Sequence, residues 1–195
     1  MSARVRPAVE TDAAGIAAVH AERINEGLLV RLGPRFLARL YRRIVRSPVG
    51  AAFVAEADDT VVGFVAAATS TKAFYRDFLV HDGVPAVLAA FPAIVRAPRP
   101  VWETLRYGTA DGDVDLPRAE ILSIAVSRDA TGQGLGGGLL AEALGELGRR
   151  GVESARVVTA VGNAPAIAMY ERGGFRRHAR TEVHRGVAQE VLVWR

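Results

Sequence analysis

Short runs that alternate between apolar and polar residues, and longer runs with helical spacing, succeed one another along the whole chain. Residues 3–9 alternate in the manner of a short edge strand, and Thr11 and Asp12 offer an N-cap ahead of Ile16, Ala17, Val19 and His20. Gly33 and Pro34 open a second helix. Its apolar positions Phe36, Leu37, Leu40, Tyr41 and Ile44 share one face, Arg35, Arg39, Arg42 and Arg46 lie outward, and Ser47 and Pro48 stop it. Residues 51–57 and 61–69 read as two strands joined by Asp58-Asp59-Thr60, a hairpin.

The stretch 70–118 has a different character. Phe74, Tyr75 and Phe78 are followed by Val84, Val87, Leu88, Phe91, Ile94 and Val95 at helical spacing, with Pro92 expected to kink or end the helix. A structureless connection of that length is foreign to a compact domain, so the spacing predicts a helical insertion between the third and fourth strands. Beyond it the pattern predicts a strand at 120–126, a glycine turn, a helix to about Arg150, a strand at 155–161, a helix at 164–172, and a terminal strand pair at 175–184 and 187–194. The order β-α-α-β-β-insertion-β-α-β-α-β-β predicts a single α/β domain, residues 1–195, on a mixed sheet.

Composition narrows the chemistry. Half of the 195 residues are apolar and 24% are charged, which excludes a disordered chain. There is no cysteine, which excludes disulfides, thiolate metal sites and cysteine nucleophiles. The net charge of +4 rests on 25 basic residues, all but Lys72 of them arginine. They form no concentrated stripe interleaved with aromatics, so nucleic acid is not an expected partner. The N-terminus has no apolar signal core and no apolar run reaches membrane-spanning length, so the expectation is a cytoplasmic protein with no membrane partner and no metal.

One segment carries most of the chemical information. Between the 120–126 strand and the next helix run Thr131-Gly132-Gln133-Gly134-Leu135-Gly136-Gly137-Gly138. Each glycine in a helical turn costs about 1 kcal/mol relative to alanine, so three in a row at a helix start serve close approach rather than stability. Backbone N–H groups at the positive end of a helix can then close on an anion such as a diphosphate; a tight packing turn is the plainer alternative. A Walker loop requires Lys after its last glycine, and Gly138 is followed by Leu139. A dinucleotide fingerprint is present in letters from Gly132 to Gly137, but the strand at 155–161 ends in Thr159-Ala160-Val161 without the carboxylate that holds a ribose.

The segment resembles the signature of the GNAT acetyltransferase superfamily: Arg or Gln, two residues, Gly, one residue, then Gly or Ala. Gly134 and Gly136 fit that signature, and Thr131 stands where the family has Arg or Gln. Upstream, residues 121–126 resemble the family's fourth strand; downstream, Asn163-Ala164-Pro165-Ala166-Ile167-Ala168-Met169-Tyr170 through Phe175 resembles its fourth helix and following strand. The resemblance implies a GNAT-like, mixed and largely antiparallel central sheet with flanking helices, and an N-acyltransferase that moves an acetyl group from acetyl-CoA to an amine by direct attack in a ternary complex. It also implies a cofactor site made of Ile124, Ala125 and Val126 along the strand, Thr131, Gly132, Gln133, Gly134, Leu135, Gly136 and Gly137 in the turn, and Asn163, Ala166 and Tyr170 on the later helix. Tyr170 resembles the general acid, with core packing as its alternative, and Asn163 is equally a helix cap.

Glu120 is the candidate general base, since some lysine-acetylating members carry a strand glutamate there. Strict alternation puts it on the face of Leu122, Ile124 and Val126. His81 beside Asp82 is a second candidate; His20, His178 and His184 show no partner at a telling spacing. Arg39, Arg42, Arg43 and Arg149 read as outward solubilising residues, and Arg128, Arg172, Arg176 and Arg177 as possible phosphate partners. Phe74, Tyr75, Phe78, Phe91 and Trp102 of the insertion are expected to shape an acceptor pocket or a homodimer interface, with Asp111, Asp113 and Asp115 as an attraction for a cationic amine. Two alternatives stay open: a catalytically silent acyl-CoA-binding regulatory module, and a dinucleotide-binding oxidoreductase.

Overall fold

The computed structural model describes residues 3–24, 28–96, 116–184 and 187–195. Seven strands form one sheet in the order β1-β2-β3-β4-β5-β7-β6: β1 (Arg4–Pro7), β2 (Gly50–Ala57), β3 (Thr60–Ala68), β4 (Ala119–Val126), β5 (Ala155–Ala160), β6 (Arg176–His184) and β7 (Val187–Trp194). Every pairing is antiparallel except β4 with β5. Among the described residues six helices flank it: α1 (Ala13–Arg23), α2 (Leu28–Arg31), α3 (Pro34–Arg46), α4 (Thr71–Arg96), α5 (Leu135–Arg149) and α6 (Ala164–Arg172). This mixed, mostly antiparallel sheet rules out the doubly wound parallel sheet that a dinucleotide site requires.

β3 lies deep within the sheet, and its nearly continuous apolar run reflects burial on both faces. Phe64, Ala66 and Ala68 join a core with α1, α3 and α4, while Val65 and Ala67 join a second core with α5 and α6. At the β2–β3 hairpin, Asp58 and Asp59 both take positive φ, 47° and 57°, the turn that matches strand twist and that aspartate tolerates.

α4 departs from expectation. It runs through Pro92 to Arg96 as one helix, so that proline does not end it. The tertiary contacts of its first turns, where Phe74 is 1% and Phe78 6% exposed, hold the helix against the core. Asp82 reaches across to α3, accepting from Arg39 Nη1 at 3.0 Å and Arg43 Nε at 2.5 Å. Arg39 and Arg43 are therefore ligands of α4 rather than outward solubilising residues. The short α2 carries no signal in the sequence, being only four residues long. Among the described residues no helix is long and apolar enough to cross a membrane.

Candidate active site

β4 and β5 pair over only three positions, Ala119↔Ala155, Glu120↔Arg156 and Ile121↔Val157. Past Val157, β5 continues alongside β7, so the β5-facing edge of β4 from Leu122 to Val126 opens into a gap. A β-bulge marks the start of that opening: Ala66 pairs with Ser123 while Ala67 pairs with Ile121, leaving Leu122 as the extra residue. The bulge corrects the strict alternation read from sequence. Glu120, flanked by the inward Ala119 and Ile121 of the α5 core, faces with Leu122 toward α1, α3 and α4, whereas Ile124 and Val126 pack on the α5 side.

The strand leads straight into the glycine turn. Gly132 and Gly134 have φ of 85° and 75°, a region that costs an L side chain strain, and Gly134 caps α5 with no side chain bonded to the helix start. The first intrahelical bond of α5 that reaches back into the turn is Gly138 N–H to Gly134 O at 3.2 Å. The N–H groups of Leu135, Gly136 and Gly137 precede it and point outward at the positive end of a 15-residue helix. A Cβ at Gly137 would meet nothing within 4 Å, but one at Gly136 would come to 2.9 Å from Met169 Sδ. Gly136 thus serves the packing of α5 on α6, the plainer of the two expectations for the turn, while Gly132, Gly134 and Gly137 leave the cradle open. Thr131 donates to Ser127 O at 3.0 Å and supports the turn from its own strand end. Gln133 lines a cleft of about 460 Å³ on the side of α1, together with Glu22 and Asp129, whose carboxylates make that cleft a poor host for an anion.

On α6, Asn163 Oδ1 accepts from Ala166 N–H at 3.4 Å and Asn163 Nδ2 donates to Thr159 Oγ1 at 3.3 Å, so its side chain caps the helix. Ala166 and Met169 pack on the α5 core. Tyr170 is 4% exposed and tilts against Phe175 with ring centroids 5.5 Å apart. It shares that core with Ile124, and burial pushes its phenol well above the ordinary value, so it keeps its proton at neutral pH.

Glu120 lies on the opposite face. Its Oε2 accepts from Thr71 Oγ1 at 2.8 Å and from Arg156 Nε at 3.0 Å. Tyr75, one turn along α4 from Thr71, exposes 47% of its surface, yet burial, followed by the charge of Glu120, raises its phenol. Near it lies a buried polar chain that the sequence does not signal, because its members are far apart in the chain. His20 Nδ1 contacts the Tyr41 hydroxyl, which in turn donates to Ser123 Oγ at 3.3 Å, next to the bulge. His20 is 3% exposed and stacks on Phe64. Burial without a charged partner pushes it down to about 4, so it is neutral at pH 7.

Other expectations are corrected. His81 and Asp82 do not form a pair: His81 is exposed beside Asp77, while Asp82 turns inward to α3. Phe74 and Phe78 are core residues, not pocket walls. Arg128 pairs with Glu22 and Arg177 with Glu171. Trp102, Asp111, Asp113 and Asp115 lie outside the described residues.

Known proteins share this fold. A ribosomal-protein-S18-alanine N-acetyltransferase from Escherichia coli superposes with a TM-score of 0.61 at 16% identity, covering 99% of this chain and 93% of that one. The yncA protein from Salmonella typhimurium, solved with its cofactor acetyl-CoA, superposes with a TM-score of 0.62 at 18% identity, covering 100% and 94%. In sequence, a mycothiol acetyltransferase from Clavibacter michiganensis subsp. michiganensis (strain NCPPB 382) is 39% identical over 63 residues, 32% of this chain; the match spans about a fifth of that relative, 21%. The profile of the acetyltransferase (GNAT) family matches residues 22–175. With that match over most of its length, the chain belongs to the GNAT acetyltransferase family.

Proposed function

We propose that the protein is an acetyl-CoA-dependent N-acetyltransferase that acts on an amine. The observation that carries this reading is the continuity of an open strand edge, Leu122 to Val126, with the uncapped, glycine-lined start of α5. In it, the N–H groups of Leu135, Gly136 and Gly137 bind the diphosphate of the coenzyme, with Gly132 and Gly134 shaping the turn and Thr131 bracing it. The β4 edge pairs with the pantetheine amides as an added strand, and an N–H among Ile124, Ala125 and Val126 polarises the thioester carbonyl. Tyr170, kept protonated by burial, donates to the departing thiolate.

On the acceptor side, Glu120 is held through one oxygen, Oε2, by Thr71 Oγ1 at 2.8 Å and Arg156 Nε at 3.0 Å. Its carboxylate attracts the ammonium form of the acceptor, which gives its proton to water to leave the neutral amine that attacks. Family membership and the relatives named for acetyl transfer, among them one solved with acetyl-CoA, support the reading. With no cysteine in the chain, attack is direct rather than through a cysteine-linked acyl-enzyme.

Calorimetry with acetyl-CoA tests the cradle. A Cβ at Gly137 meets nothing within 4 Å, so Gly137→Glu, its fold checked by circular dichroism, should weaken binding by about tenfold or more through its carboxylate. Unchanged affinity in the folded variant refutes the assignment. The Arg156 pairing of Glu120 also fits the silent acyl-CoA-binding module. Free-thiol release over a panel of amines separates the two, because a silent module takes up acetyl-CoA with no thiol above background.

A further inference from the structure

α4 is apolar on two opposite faces. The inner face is accounted for: Phe74, Phe78, Ala86 and Ala90 are buried, Phe78 meets Phe36 edge-on at 5.8 Å, and Asp82 holds Arg39 and Arg43. The outer face carries Val80, Val84, Val87, Leu88 and Phe91, exposed by 73%, 75%, 58%, 69% and 59%. Among the described residues, every exposed large apolar side chain except Val9 lies on this one helix.

We infer that this face is the interface of a homodimer, in which α4 packs antiparallel on α4 of a second copy. Area is the first argument. These five side chains offer roughly 500–600 Å², at the top of the ~300–600 Å² of the largest patch on an ordinary monomer and most of the ~800 Å² each partner gives to a standard interface. Spacing is the second. Val80, Val84, Val87 and Phe91 follow one another at four, three and four residues, a sequence of steps that reads the same in both directions. An isologous interface requires one surface to match its own reversed copy. A twofold axis midway along this stripe sets Val80 against Phe91 of the second copy and Val84 against Val87 of the second copy. Charge is the third argument: no ionisable residue occurs from Gly83 to Phe91, so two copies meet here without like-charge contacts.

Sedimentation velocity on the full chain from about 1 to 100 µM tests the proposal. The wild type should sediment at twice the 20.8 kDa chain mass. Val84→Glu and Val87→Arg, both on exposed positions, should each raise the dissociation constant by about a hundredfold or more, since each buries an unpaired charge at the seam. Because residue 84 of one copy meets residue 87 of the other, an equimolar mixture of the two variants should recover a dimer that neither forms alone. A monomeric wild type at 100 µM, a dimeric Val84→Glu, or a mixture that stays monomeric overturns the proposal. So does a monomeric wild type that Val84→Glu destabilises, which would show the face to be covered within its own chain.

Discussion

Lowering the pH from 7 to 5 should cost this fold about 2 kcal/mol through one residue, His20. The imidazole is 3% exposed, stacked on Phe64 and in contact with the Tyr41 hydroxyl, with no carboxylate bonded to it. Burial holds it at about 4 against an ordinary 6.5. As pH falls below 6.5 the unfolded chain takes up this proton first, so the stability that neutral His20 supplies is complete above 6.5 and drains away on the path down to 4. The gap corresponds to about 3–4 kcal/mol once both states are protonated, and a little over half of it falls between pH 7 and pH 5. The carboxylates held low by arginines, Asp12 and Asp82, act in a different window: their contribution is lost only below their ordinary value of 3.8.

Urea unfolding at pH 5, 6 and 7 reads this directly. With a slope of about 2 kcal/mol per molar, the midpoint should drop by about 1 M from pH 7 to pH 5. His20→Gln keeps an amide for Tyr41 and removes the titration, so its midpoint should start lower at pH 7 and then change little. A flat wild-type profile, or a variant that retains the full slope, refutes the reasoning.

Asp82→Ala leaves Arg43, whose side chain is only 14% exposed, without its partner, and should lower stability by about 1–3 kcal/mol in thermal unfolding; a change below about 0.5 kcal/mol would count against the α3–α4 tie. Gly134→Ala forces a Cβ into φ of 75° and should cost about 1 kcal/mol in urea unfolding, whereas Gly137→Ala, at an open helical position, should be neutral or stabilising by up to about 1 kcal/mol. Equal effects at the two sites would remove the distinction drawn between them. Tyr170→Phe preserves the ring packing and should leave acetyl-CoA affinity unchanged while lowering kcat by about 100-fold; an unaltered kcat confines Tyr170 to packing.

Much of the fold is legible in the sequence where burial follows one period for long enough. α3 shows its buried face in Phe36, Leu37, Leu40, Tyr41 and Ile44, and the β2–β3 hairpin announces itself in two aspartates that tolerate positive φ. The glycine turn is legible because its composition is poor for a plain helix start. What escapes falls into three kinds. The β4 bulge adds one residue and reverses the faces beyond it, so Glu120 and Ile124 look like neighbours on paper and are not. The contacts of His20 with Tyr41, and of Asp82 with Arg39 and Arg43, join residues on different helices, which no local pattern encodes. α4 is the third kind: spacing marks Val84, Val87 and Leu88 as one face of a helix, but the same spacing serves a core face and an exposed one.

The seam between β4 and β5 has a mechanical consequence. Three residue pairs, from Ala119 to Ile121, stitch a four-stranded ladder to a three-stranded one, so the sheet is weakest against shear along that line. Amides beside the gap should exchange with deuterium sooner than those of β3, which has neighbours on both edges. A ligand laid along Leu122 to Val126 supplies the missing stitches, and the slowing of exchange should reach both ladders instead of stopping at the residues it touches.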